Sequence, residues 1–180
     1  MTEAPKKPIV KEAKKDVEKA NRGESRKATS SRGSEKYLFT EVSGELRAAD
    51  YSADEAAKAI DDYYNHHNCF LAGYGKYFIE EAIRNKTDWR MAPAIAMRES
   101  TGGNDMFRPN NPFGWGSVSF SSIQQAISTV TRNLAGNNPN TATYYRNKTI
   151  HEKLRKYNSV VDAYPDEVRE IMRDIENNIT

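Results

Sequence analysis

One cysteine stands in 180 residues, so no disulfide can form within the chain. Cys69 reads as a small buried apolar group rather than a catalytic thiol. Histidine is nearly as scarce, with His66, His67 and His151 the only three. An adjacent pair cannot share a helix face as an i, i+4 pair does, and no acid–histidine spacing here matches a metal motif. No metal and no cofactor are therefore expected, and the histidines read as surface or cap residues. Neither GxxxxGK[ST] nor GxGxxG occurs, which removes the phosphate-cradling loops. Nothing approaches the ~20 consecutive apolar residues of a transmembrane helix. The opening MTEAPKKPIVKEAKK lacks the apolar core of a secretory signal. No strand–Ser–helix elbow supports a Ser-His-Asp triad.

Net positive charge is missing from most of the chain. Residues 1–36 hold 11 Lys/Arg against 6 Asp/Glu, whereas residues 37–180 hold 16 against 19. A body of net negative charge argues against specific nucleic-acid binding, which normally shows a basic face. Residues 1–36 contain no aromatic residue and too little apolar surface to offset the entropy of ordering, so they read as a basic tail or linker. Such a tail suits contact with anionic polymers or a virion component, and a solvated linker is the ordinary alternative. Residues 37–180 read as a single domain.

From residue 50 the pattern is helical. Ser52 and Glu55 form a capping box ahead of Ala56, Ile60, Tyr63 and Tyr64. Gly73 and Gly75 interrupt the chain, and Phe78 and Ala82 follow Tyr74 at helical spacing. Asp88 is the expected N-cap of the next helix, which ends near Thr101 at two glycines. Residues 102–120 are rich in Gly, Asn and Pro and read as an irregular or hairpin lobe. A second capping box is expected at Ser121/Gln124, with Ile123, Ala126, Ile127, Val130 and Leu134 buried and Gly136 just past the helix end. A third is expected at Thr149/Glu152, and Pro165 opens the last helix.

Within this pattern MAPAIAMRESTGG, residues 91–103, places one acid at a telling position. Glu99 lies four residues beyond Ile95, where the buried face runs out. Negative charge near a helix C-terminus is disfavoured by the dipole, and an apolar setting acts in the same direction, so both favour the protonated carboxyl. A protonated carboxylic acid is what cleavage of a glycosidic bond requires, since the leaving oxygen must receive a proton. A surface Glu paired with Arg98 or Arg90 is the ordinary alternative. The following RPNNPFGWGSVSF combines amides, glycines and aromatics, a composition suited to a carbohydrate cleft; rings that simply plug the core are the alternative for Phe113.

WRMAPAIAMRESTGG, NNPFGWGSVSFSSIQQAISTVTRNL and YYRNKTIHEKLRKYN together resemble the lysozyme-like domain of bacterial and phage peptidoglycan hydrolases, nearest the endo-β-N-acetylglucosaminidase-like branch. The similarity runs from roughly Tyr51 to Ile175 and includes the entry segment AGYGKYF. The resemblance implies a mainly α, lysozyme-like α+β fold with a small lobe beside the cleft. It implies cleavage of the β-1,4 glycan backbone of peptidoglycan, with Glu99 as general acid and Asn111, Phe113 and Trp115 lining the cleft. Tyr144 and Tyr145 fall in the resembling segment, Tyr144 as a group that stabilises the transition state and Tyr145 as a substrate contact, with core packing the alternative for at least one. Asp105 is the only acid between Ser100 and His151 and hence the nearby candidate for a second carboxylate. Without one, the substrate's N-acetyl group or an intramolecular muramyl hydroxyl would serve, the latter giving an anhydro product. The expected partner is the glycan strand, at the cell wall or in a phage virion. The rival expectation is a wall-binding or structural virion protein without turnover.

Overall fold

The computed structural model describes residues 37–180, and the basic segment 1–36 lies outside the described residues. The described chain opens with a two-stranded antiparallel sheet, β1 (Phe39–Val42) and β2 (Glu45–Ala48). Seven helices follow: α1 (Ala53–His66), α2 (Gly75–Asn85), α3 (Met91–Ser100), α4 (Ile123–Leu134), α5 (Ala142–Tyr145), α6 (Ile150–Tyr157) and α7 (Tyr164–Glu176). The architecture is mainly helical.

Helix α3 is the centre of the packing. Met91 through Ala96 are all buried, so this helix has no polar side until Arg98, and its neighbours must cover it on every face. It packs most extensively on α7, and Tyr64 of α1 donates its hydroxyl proton to the Pro93 carbonyl at 2.9 Å. Helix α1 packs in turn on α2 and α7, α2 on α4, and α6 on α7. The stripe Ile123, Ala126, Ile127, Val130 and Leu134 is buried as its spacing requires, and so are Ala56, Ile60, Tyr63 and Tyr64. Cys69 is buried, and His66, His67 and His151 are exposed.

Local chemistry explains most helix ends. The Ser52/Glu55 and Thr149/Glu152 capping boxes are both formed, each reciprocal between side chain and backbone. The third differs from the expectation by one residue. Ser122, not Ser121, is the N-cap of α4 and accepts from Gln125 N–H at 3.1 Å, while Ser121 bonds the Gln125 side chain. Gly73 and Gly75 donate their N–H groups to one Asp61 oxygen, each at 2.8 Å. A Cβ at Gly75 would sit 2.1 Å from the Ala57 carbonyl oxygen, which is why only glycine fits this crossing of α1 and α2.

Residues 102–120 take the irregular one of the two expected forms, with turns and bends and no strands, and the hairpin instead precedes α1, at residues 39–48. Phe39, Thr40 and Val42 favour extended backbone, and Ser43 and Gly44 make the two-residue turn. Asp88 is not the N-cap of α3, a position held by Arg90. Asp88 is instead a buried hub: it accepts Arg90 N–H at 2.9 Å, the Arg90 guanidinium at 2.6 and 3.0 Å, and Glu41 N–H at 2.6 Å. Arg90 also reaches Glu176 at 2.5 Å, and Tyr51 donates to the other Glu176 oxygen. One ion cluster thus joins the hairpin, the start of α3 and the end of α7.

Removing one member of a buried ion cluster leaves an uncompensated charge. Asp88→Ala is expected to cost about 3 kcal/mol or more, read as a lowered midpoint in urea unfolding; a change below about 1 kcal/mol, the level of exposed ion pairs, contradicts the role given to Asp88.

Candidate active site

Helix α3 ends in a tight reversal. Thr101, Gly102 and Gly103 all have positive φ, at 53°, 61° and 91°, and Gly102 N–H reaches back to the Ala96 carbonyl at 3.3 Å. Gly102 is required by packing: a Cβ there would lie 2.5 Å from Cys69 Sγ. Ser100 is buried, with its hydroxyl 2.7 Å from the Pro112 carbonyl and 3.0 Å from that of Ala96, and it accepts Gly103 N–H at 3.0 Å. The serine and glycines of this turn therefore lock the irregular segment 101–122 onto the helix end. They hold the backbone on which Glu99 stands.

Glu99 is half-buried in the last turn of α3. Tyr164, at the start of α7, donates its hydroxyl proton to Glu99 Oε1 at 2.7 Å. The Tyr164 ring stacks on Tyr157 of α6, centroids 6.1 Å apart and planes 8° apart. Tyr157 in turn meets Trp115 at 5.5 Å and donates to the Phe113 carbonyl at 2.5 Å. Burial first, and the Glu99 charge second, push the Tyr157 and Tyr164 hydroxyls well above the ordinary tyrosine range. Both stay neutral donors at physiological pH. Of the arginines named beside Glu99, Arg98 binds Glu167 at 2.7 Å, with its guanidinium 5.8 Å from the centre of the Tyr164 ring, and Arg90 belongs to the Asp88 cluster.

The four side chains expected to contact substrate lie inside the protein. Asn111, 2% exposed, is a loop staple: its amide donates to the Val118 carbonyl at 2.8 Å and accepts Trp115 N–H at 3.0 Å. Phe113 is fully buried against Phe78, edge to face at 6.3 Å. Trp115 is buried behind Tyr157, and its indole N–H has no partner among the described residues. Tyr145 is fully buried, with its hydroxyl likewise unpartnered. Trp115 therefore supports the tyrosine stack behind Glu99 rather than facing a ligand.

The other two expected catalytic groups lie nearer the surface. Tyr144 is half-buried, with Lys156 Nζ 4.1 Å from its ring centre. Asp105 is exposed and fastened to the turn, accepting the Thr101 hydroxyl at 2.8 Å while its own N–H bonds the Ser100 carbonyl at 2.9 Å. No hydrogen bond among the described residues brings Asp105 to Glu99 or to the tyrosine stack. The partner that sequence reasoning missed is Tyr164, 65 residues away in the chain. Its only signal is its place next to Pro165 at the opening of a helix, which marks a boundary and not a function.

One half-buried carboxyl, with one oxygen held by a neutral donor and backed by stacked rings, is equipped to give or take a proton. The buried hydroxyls also set the behaviour in base. Unfolded tyrosine ionises near pH ~10, whereas Tyr64, Tyr157 and Tyr164 keep their protons well above that when folded. The unfolded chain then binds fewer protons, so stability falls as pH rises past about 10, by up to about 1.4 kcal/mol per pH unit for each group. In a spectrophotometric titration at least these three of the ten tyrosines are expected to ionise only together with unfolding. Ionisation of all ten in a chain that stays folded contradicts the burial of the stack. No family model, curated protein or solved structure matches this chain.

Proposed function

We propose that this chain cleaves the β-1,4 glycan backbone of bacterial peptidoglycan, with Glu99 as the general acid, within a lysozyme-like fold. The observation that carries the reading is the setting of Glu99: the last turn of a buried helix, half-open, with Oε1 held by Tyr164 at 2.7 Å. The residue-level resemblance of the ES-x-GG and NNPFGW segments to peptidoglycan hydrolases supplies the substrate class.

In this role the Glu99 carboxyl gives a proton to the glycosidic oxygen as the bond from that oxygen to the anomeric carbon breaks. The sugar is left with positive charge at the anomeric carbon, and the carboxylate so formed is stabilised by the Tyr164 hydroxyl it already accepts from. Water, the substrate's own N-acetyl oxygen or a muramyl hydroxyl then closes on that carbon. Tyr144, half-buried, is assigned the contact with this sugar. The place of action is the cell wall, reached from outside the cell or from a phage particle.

Glu99→Gln keeps size and hydrogen bonding but removes the transferable proton. It is expected to lower the release of soluble fragments from purified sacculi by about 100-fold or more, with an unchanged thermal midpoint. Retained activity removes Glu99 from the mechanism. Tyr164→Phe, which keeps the ring stack, is expected to lower kcat about tenfold and to leave KM near its original value. Binding to sacculi with no fragments released by the unaltered chain would instead support a wall-binding or structural virion protein.

A further inference from the structure

A concavity lies between the hairpin turn and the later part of α7, and none of Glu99, Tyr157 or Tyr164 lines it. It holds about 180 Å³ and is lined in part by Glu41, Ser43, Gly44, Arg90, Arg169 and Arg173. Its charged groups are unequally committed. Arg90 is the inner wall, its side chain 9% exposed and bonded to Asp88 and Glu176. The two Glu41 carboxylate oxygens face the Ile150 N–H at 2.9 and 3.1 Å, so this acid serves as a cap at the start of α6. Arg169 pairs with the exposed Asp166 at 3.9 Å and, among the described residues, has no closer ion pair. Arg173 is exposed and forms no ion pair among the described residues.

Arg169 and Arg173 stand four residues apart on one helix, a spacing that puts their Cβ atoms about 6 Å from each other. Two guanidinium forks at that spacing match the several oxygens of one tetrahedral anion. Across the cleft, Ser43 takes φ of 53° in the hairpin turn, a conformation that Asn or Gly adopts more readily. Ser43 lines the same cleft as the two arginines. The named lining carries three guanidinium groups against one carboxylate. Burial, the largest influence on Glu41, also raises its pKa and so eases the cost of an anion beside it.

We propose that this cleft binds a phosphate group, held by Arg169 and Arg173 with Ser43 as the donor from the turn. The phosphate is either free in solution or one link of a phosphodiester polymer. The cleft is separate from the glycan-cleaving site, and its occupancy is read without any glycan.

The test is a titration of the full-length protein, followed by 15N–1H NMR at constant ionic strength maintained with chloride. One arm uses inorganic phosphate and the other poly(glycerol phosphate). Saturable shifts are expected at Ser43, at Gly44 and at the side chains of Arg169 and Arg173. Combining Arg169→Gln with Arg173→Gln is expected to weaken binding at least tenfold. Glu41→Gln keeps an acceptor for Ile150 N–H but removes a charge, and is expected to tighten binding severalfold. Opposite signs from two variants with native spectra cannot come from loss of folding. Tighter binding of the polymer at equal phosphate concentration identifies a polymer ligand, and equal binding identifies the free anion. Shifts that do not saturate, that chloride alone reproduces, or that persist in the double variant overturn the proposal.

Discussion

Everything in this fold answers to one helix that has no side to show to water. Met91 to Ala96 of α3 are buried all round, and apolar surface of that extent stays covered only if other elements enclose it. Helices α1, α4 and α7 do so, the Tyr64–Pro93 hydrogen bond and the Asp88–Arg90–Glu176 cluster fixing their approach. The helix meets solvent only as it ends. Arg98 and Glu99 stand at that exit, and the buried wall that makes the helix central also half-buries the carboxyl.

The site inherits its order from the same packing. Tyr164 opens α7, the helix with the most extensive contact to α3, so its hydroxyl arrives at Glu99 as a consequence of core assembly. Tyr157 and Trp115 back it ring against ring, and the Ser100–Pro112 hydrogen bond holds the irregular segment in register with the helix end. A carboxyl supported in this way loses little entropy in reaching a reactive geometry, which is the general advantage of a preorganised site.

Much of this was legible in the residues themselves. The helical stripes and two reciprocal capping boxes follow from spacing and short-range hydrogen bonding, both local properties. The half-buried place of Glu99 at the end of α3 was legible because the apolar run stops there. The start of α4 slipped by one residue because Ser121 and Ser122 can both cap, and only the burial of Ile123 sets the phase. The β-hairpin escaped notice because its strands are four residues each and derive their stability from Asp88 and Ile150, distant in the chain. The burial of Asn111, Phe113 and Trp115 was not legible for a shared reason: amides and aromatics stabilise a buried irregular loop as readily as they line a sugar cleft, and composition does not separate the two. Tyr164 was invisible because contact across 65 residues is a property of packing alone.

The proposed activity is the breaking of one bond in a glycan strand. Mass spectrometry of the soluble products from purified peptidoglycan incubated with the unaltered full-length chain tests this most directly. The account predicts disaccharide-containing fragments that carry one new terminus, either a reducing N-acetylglucosamine, a reducing N-acetylmuramic acid or an anhydro end. Sacculi recovered intact, with no new glycan terminus at any enzyme concentration, would contradict it.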